Sequence, residues 1–373
     1  MNTLAFFPWF SIAEPKTFGQ FDLIPYDRDR KPGGVGPQLQ SVVDAITRPY
    51  VYQGDYPIRT AALLKVGDGE VTRHLSEDDV STAFAFAELL ACAGLAGREF
   101  FSVAGILYSN RDAFRLSIQH FQRTDGPTTV VTRRRDGSTK TLYDDAVYRV
   151  HKPKYVECSD AIDEPLLEAL LSAQAKLEDG RWAEIYEAVF SFNLANTDGD
   201  LFSKEMEVVL TISAFERLAG TASGRERDLA LAIKDLLIPV ADPSLSDCTK
   251  LSNAQLQRAL RKGQAVREIW IRDMFRLRGH LAHGRTASNY PSIRSINEHL
   301  LLASYAFPLV LKRRLTNEGL YSLTKNDNFS VFAFEKLAAT DMAVRTEEGQ
   351  THPWQRTISD TVFEFPGGLA EEL

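Results

Sequence analysis

The densest cluster of reactive side chains in this sequence is the stretch RLRGHLAHGRT, residues 276–286. A guanidinium stays charged and binds phosphate through a bidentate fork. An imidazole titrates near neutrality and can take a proton from a hydroxyl or return one. Together these groups suit the cleavage of RNA without a metal ion, in which the neighbouring 2′-hydroxyl attacks the phosphorus. The groups in question are Arg276, Arg278, His280, His283 and Arg285.

Helical geometry limits which of these groups can act together. The stretch follows an apolar-periodic segment typical of a helix, on which Arg276, His280 and His283 share one face. Arg278 and His283 lie about 140° apart on a straight helix, so they cannot converge there. They could meet if the helix breaks at Gly279 or ends just before His283, or across a two-fold axis with a second copy. An interior glycine costs about 1 kcal/mol relative to alanine, so Gly279 permits such a break.

A structural role would also account for this cluster, because arginine and histidine side chains often satisfy the last carbonyls of a helix. The basic run around it is similarly open to two interpretations. From Arg258 to Arg285, eight cations are opposed by two acids, and this net charge of +6 leaves −13 for the rest of the chain. The run could guide RNA to one place, with Arg267, Arg272 and Arg285 as contacts. It could equally be a solvated helix face.

The first 150 residues predict an α+β domain of unknown role. TAALLKV (60–66) and FRLSIQHFQ (114–122) are typical of strands. TTVVTRRRDGSTKTLY (128–143) predicts a hairpin with an Asp-Gly turn. Ser76 is the expected N-cap of a helix that is followed by the second of these strands.

The remainder of the chain predicts an all-α helical bundle. Residues 151–160 are interpreted as a linker, residues 161–315 as the bundle and residues 316–373 as a C-terminal extension. Within the extension, NFSVFAFEKLAA (328–339) is expected to pack back as a short helix. Ser203 is the expected N-cap of one bundle helix. Apolar residues that step by three or four predict one long helix over residues 252–278.

Cysteine and histidine usage predicts neither a disulfide framework nor a metal site. The three cysteines are far apart and form no CxxC pair, which is typical of structural thiols in a reducing compartment. His74, His120 and His151, in the N-terminal part, lack acidic partners at ligand spacing, so we expect no metal and no cofactor. The N-terminus has no basic segment of a secretory signal. The longest apolar run, LLLASYAFPLVL, is short for a membrane span. We therefore expect a cytoplasmic protein without a membrane partner.

The segment IRDMFRLRGHLAHGR resembles the signature of the HEPN superfamily (higher eukaryotes and prokaryotes nucleotide-binding), particularly its Apea-like branch. In that family an arginine precedes a histidine by four to six residues, often with a glycine after it. Arg278, His283 and Gly284 match this pattern. Glu216, on an upstream helix, stands in an A-x-E-x-L-like setting that also matches. The resemblance covers residues 195–315.

The resemblance implies a bundle that forms a homodimer through the helical domain and brings two motifs into one cleft. It implies a metal-independent endoribonuclease that serves as a toxin or in phage defence. Arg278 would then hold the phosphate and His283 would act as general base and acid, assisted by His280 and Arg276. Gly279 departs from the family pattern, which often has Asn, Asp or His after the arginine. The alternative is a non-catalytic RNA-binding or protein-assembly module.

Overall fold

The chain divides into two compact units in this computed structural model. The N-terminal unit comprises residues 1–98, 106–171 and 197–199, and the helical unit comprises the rest. An α+β part followed by a mostly helical part confirms the order predicted from the sequence. The structure describes residues 2–29, 37–52, 54–98, 110–122, 129–133, 139–142, 149–153, 162–197, 202–221, 224–238, 254–284 and 290–339.

The N-terminal unit is built on a seven-stranded sheet with the order β2-β3-β5-β1-β6-β7-β8, in which neighbouring strands are antiparallel. A separate parallel pair joins β4 to β9. The strands are β1 Asn2–Phe7, β2 Lys16–Phe18, β3 Phe21–Asp27, β4 Tyr50–Val51, β5 Thr60–Val66, β6 Ser117–Gln122, β7 Thr129–Arg133, β8 Thr139–Leu142 and β9 Val150–His151.

The two central strands are apolar along most of their length. In β1 and β5 successive residues are buried on both faces of the sheet, with Phe6 opposite Leu63 and Ala5 opposite Leu64. Continuous apolar runs of this kind are typical of strands that are covered on both sides. The predicted hairpin is confirmed by the pairing of β7 with β8. Its turn, with Asp136 and Gly137, lies outside the described residues.

Helices α1 (Pro37–Thr47) and α2 (Glu77–Ala96) belong to the N-terminal unit. Ser76 caps α2 as predicted, in a capping box with Asp79, and Gly97 follows the last turn. This reciprocal bonding satisfies orphan N–H groups of the first turn. Among the described helices, α2 alone is long and apolar enough to cross a membrane, but 56% of its apolar window is buried inside the protein, as in the core helix of a globular unit.

The helical unit packs its helices around an aromatic core. Phe192 stacks on Phe307 with ring centroids 4.1 Å apart, while Trp270 meets both Phe215 and Phe334 edge to face. The division from the N-terminal unit falls within α3. The helices are α3 Glu164–Lys176, α4 Asp179–Ala195, α5 Lys204–Leu218, α6 Glu226–Leu236, α7 Ala254–Arg261, α8 Val266–Ala282, α9 Ile296–Asn317 and α10 Lys325–Ala339.

Two helices stand where the sequence pattern predicts one, so the prediction of a single helix over residues 252–278 is wrong. Helix α7 ends at Arg261, and Gly263 takes a φ of +75° before α8 begins. Glycine adopts this left-handed conformation without the steric cost that other residues meet, and it commonly ends helices. Ser203 caps α5 as predicted.

The helical unit continues beyond Leu315, where the sequence pattern places the start of an extension. Helix α10 contacts both α8 and α9, and the Phe334 side chain is fully buried. An apolar face packed in this way contributes to the core. Most of the predicted linker, residues 151–160, lies outside the described residues, and its first residue, His151, pairs in β9.

Candidate functional site

Helix α8 carries the motif, and its apolar stripe positions it in the bundle. Trp270, Met274 and Leu277 are buried against neighbouring helices. The helix runs through Gly279 without a break and ends at Ala282. His283 is its C-cap, and Gly284 follows with a φ of +72°. The sequence allowed the helix either to break at Gly279 or to end just before His283, and the structure shows the second.

Arg278 is bound to an acid from another helix. Its Nη2 donates to Glu216 Oε2 of α5 at 2.5 Å, and its guanidinium lies 4.7 Å from the centre of the Phe275 ring. About a quarter of the Arg278 side chain is exposed. The structure therefore joins two positions that the family resemblance singles out, Glu216 and Arg278, although 62 residues separate them.

The two motif histidines differ in their surroundings. His283 is exposed at the end of α8. His280 is half-buried, and its ring centroid is 5.3 Å from that of Tyr290. Positions 278 and 283 are about 140° apart around a straight helix, but His283 is the C-cap and lies outside the regular helix. The hydrogen bond of Arg278 is to Glu216 of α5.

Arg272 and Arg276 share an acidic partner on α6. Arg276 donates twice to Glu226, through Nε and Nη2, both at 2.8 Å. Arg272 donates to Glu268 at 2.9 Å and to Glu226 at 3.4 Å. The hydrogen bonds from Glu226 raise the pKa of Arg276 above its usual range. Half of the Arg276 side chain is nevertheless exposed.

Arg267, expected to contact RNA, is buried. Only 4% of the residue is accessible, and its Nη1 donates to Glu335 Oε1 at 2.8 Å. Its Nε donates to the Lys234 carbonyl at 2.9 Å, in the last turn of α6. Since a buried and bonded guanidinium cannot reach a phosphate backbone, Arg267 has a structural role. Arg285, the third expected RNA contact, lies outside the described residues.

Acids from distant segments thus offset the basic run of the sequence. Arg267, Arg276 and Arg278 of α8 each bond to a glutamate on a different helix, namely Glu335, Glu226 and Glu216. The pair of Arg267 is buried, whereas the pairs of Arg276 and Arg278 are partly exposed, and exposed pairs contribute little stability and are screened by salt. Their effect on the site is to lower the net positive charge that α8 offers to a polyanion.

A buried polar network next to the motif has no signal in the sequence. The Asp273 carboxylate accepts hydrogen bonds from the Ser292 hydroxyl and the Ile293 N–H, both at 2.8 Å, and lies 3.0 Å from His299 Nε2. His299 is fully buried. The same Nε2 also contacts the Ser292 hydroxyl. In a catalytic triad one ring nitrogen bonds to the serine and the other to the carboxylate, so this arrangement does not activate Ser292 as a nucleophile. The network anchors the segment that leads into α9.

Among the described residues of the N-terminal unit, the histidines and Cys92 form no comparable site. His120 Nδ1 lies 3.3 Å from the Thr3 hydroxyl, and burial lowers the pKa of His120. Cys92 is buried in α2, and burial raises the pKa of its thiol. Across the described ranges, no group of three or more His, Cys, Asp or Glu side chains is placed to hold a metal ion.

Comparison of the chain with family models, with curated proteins and with solved structures finds no match. The geometry of the described residues therefore carries the functional argument.

Proposed function

We propose that the helical unit is a HEPN-like module that cleaves RNA without a metal ion, with Arg278 and His283 as catalytic residues. The observation that carries this proposal is the bond between Arg278 and Glu216 near the end of α8 where His283 is exposed. Glu216 holds one end of a guanidinium that has five N–H donors. The carboxylate thereby fixes the direction of the group that grips phosphate.

The reaction would proceed by attack of the RNA 2′-hydroxyl on the adjacent phosphorus. His283 takes the proton from the 2′-oxygen as the new P–O bond forms. The bond from phosphorus to the 5′-oxygen breaks, and His283 returns the proton to that oxygen. Arg278 stabilises the charge on the non-bridging oxygens. The products are a 2′,3′-cyclic phosphate and a 5′-hydroxyl, and His280 and Arg276 assist from the same helix.

A second copy would complete the site. Because positions 278 and 283 are about 140° apart around a straight helix, a two-fold axis beside α8 would place Arg278 of one copy near His283 of the other. Two equal sites would then form in one cleft, as a symmetric interface requires. We therefore propose a homodimer through the helical unit, with RNA as partner, that works in the cytoplasm as a toxin or phage-defence effector.

Mixing two inactive variants tests the shared site. Arg278→Ala and His283→Ala should each lose two to four orders of magnitude in cleavage rate, the range typical of a lost catalytic group. After subunit exchange, a mixture in equal amounts should recover about a quarter of wild-type activity, since half of the dimers would carry one intact site. Arg181→Ala is the matched control, because Arg181 pairs with Glu318 on the surface of the same unit. A mixture as inactive as its components would exclude a site shared in this way.

The alternative is a non-catalytic RNA-binding or protein-assembly module, and one observation favours the assembly role. Arg267, Arg272 and Arg276, which the basic run would offer to RNA, all bond to carboxylates within the chain. A module of this kind would dimerise but leave RNA intact. A purified dimer that neither binds nor cuts RNA would support this alternative.

A further inference from the structure

A pocket of about 290 Å³ lies beside the motif helix, and its lining has a distinct chemistry. We call it the Tyr290 pocket. It is lined by Leu277 of α8 and by every residue of the segment 290–296 except Pro291. Its volume is at the lower end of the range for small-molecule sites. It therefore has room for one small planar group.

Apolar and hydroxyl-bearing side chains make up most of this lining. Leu277, Ile293 and Ile296 supply apolar surface, and serines supply hydroxyl groups. Among the described residues of the lining, Arg294 is the one that carries a charge. Its guanidinium is buried and bonds to the Ala338 carbonyl and to Glu298. The described part of the lining is therefore poor in free charge, which disfavours a phosphate as its occupant.

An aromatic ring stands in the wall of the pocket. Tyr290 is half-buried, and its ring lies beside that of His280, tilted by 44°. Burial, together with the nearby Asp273 carboxylate, raises the pKa of Tyr290, so its hydroxyl stays neutral and can donate a hydrogen bond. Proteins recognise single-stranded RNA by stacking unpaired bases on aromatic side chains and by bonding to base edges.

The wall of the pocket is held in place before any ligand arrives. Asp273 accepts hydrogen bonds from Ser292 and from the Ile293 N–H, both at 2.8 Å. His299, fully buried, contacts the same carboxylate. A segment fixed in this way loses little conformational entropy when it binds, which is what a recognition site requires.

We propose that the Tyr290 pocket takes one unpaired base of an RNA strand, which stacks on the Tyr290 ring against Leu277 and Ile296. The choice of RNA as ligand rests on the proposed ribonuclease function. A base bound in the pocket would determine which RNA sequence is cut, because Leu277 and His280 lie on the same helix as Arg278. A base held here would position the strand beside the motif.

A fluorescent base provides the test. The parent protein is the full chain with His283→Ala, so that RNA is bound without being cut. The probe is a single-stranded RNA hexamer that contains 2-aminopurine, whose emission is quenched when it stacks. Tyr290→Leu should weaken binding about tenfold, as the loss of one base stack does, and should abolish the quenching. Tyr290→Phe should retain the quenching because it keeps the ring.

Two further variants complete the design. Ile296→Trp replaces a lining side chain by a larger one that fills the pocket, so it should block the base even if Tyr290→Leu unfolds. Tyr186→Leu, on α4, is the matched control and should behave as the parent. Equal binding and quenching in the parent, a folded Tyr290→Leu and Ile296→Trp would overturn the pocket proposal.

The pocket and the ribonuclease can fail separately. If the wild-type protein cuts no RNA but quenching still depends on Tyr290, the pocket stands and the ribonuclease does not. If the wild-type protein cuts RNA, and neither Tyr290→Leu nor Ile296→Trp changes binding or the sequence that is cut, the ribonuclease stands and the pocket does not.

Discussion

The buried pair between Arg267 and Glu335 should be essential for the stability of the helical unit. Arg267 is 4% accessible and Glu335 is 1% accessible, and their charged atoms are 2.8 Å apart. Removal of one partner leaves a buried charge without compensation, which typically costs about 3–5 kcal/mol. Glu335→Leu should therefore destabilise the unit by about that amount. The side chain of Arg267 also bonds to the Lys234 carbonyl, so Arg267→Met should cost about 1 kcal/mol more.

The double variant separates charge burial from packing. When both charges are replaced by apolar groups, no charge is left buried, and such replacements are often neutral or stabilising. Arg267→Met with Glu335→Leu should thus lose much less than the sum of the two single variants. The shortfall should be about 2 kcal/mol or more, within the range seen for residues in direct contact.

Hydrogen exchange of the α8 and α10 amides measures this effect where it arises, because it reports local opening free energies. The control is Arg181→Ala, whose exposed pair with Glu318 should change stability by about 1 kcal/mol at most. The reasoning is refuted if Arg267→Met weakens RNA binding and leaves the exchange of both helices unchanged. That result would indicate that Arg267 contacts RNA.

Three further predictions concern stability. Gly279→Ala should stabilise the helical unit by up to about 1 kcal/mol, because the position is inside a helix and an added Cβ meets no atom within 4 Å. Thermal unfolding measures this change, and a lower melting temperature would contradict the prediction. Gly94→Ala should instead cost about 1–3 kcal/mol, because its Cβ would fall 2.0 Å from the Phe114 ring; an unchanged melting temperature would show that α2 can shift. Bonds from Arg73 and the α2 N-cap hold the pKa of Asp79 well below its usual range. The stability that a depressed carboxyl pKa provides is present above the unfolded value and is lost as the pH falls through the folded one, so the cost of Asp79→Asn, measured in urea, should shrink below about pH 4. A cost that is equal at pH 7 and pH 3 would argue against the pair.

Local signals in the sequence predicted those features of the fold that depend on neighbouring residues. Ser76 and Ser203 cap helices because their side chains bond to backbone groups three residues away. The apolar run 60–66 forms β5 because burial on both faces needs little beyond that run. The end of α7 also had a local signal, namely basic residues followed by Gly263, which is typical of a helix C-terminus.

The sequence does not show which acidic residue each arginine binds. Arg267 and Glu335 are 68 residues apart, and nothing local distinguishes Arg267 from the exposed Arg276 on the same helix. The pair forms because α10 packs against α8. The sequence pattern predicted a short helix over residues 328–339, which α10 confirms, but not the helix against which it packs. Asp273 and His299 were missed for the same reason. A bond between distant segments depends on packing, which no periodicity encodes.

The most direct test of the central claim is the cleavage of single-stranded RNA by the full-length protein in the presence of EDTA. The proposed function predicts products with a 2′,3′-cyclic phosphate and a 5′-hydroxyl. It also predicts that His283→Ala and Arg278→Ala lose two to four orders of magnitude in rate, about 3–5 kcal/mol of transition-state stabilisation, while their folds stay intact. Wild-type protein that leaves RNA uncut, or a His283→Ala protein that cuts equally well, would contradict it.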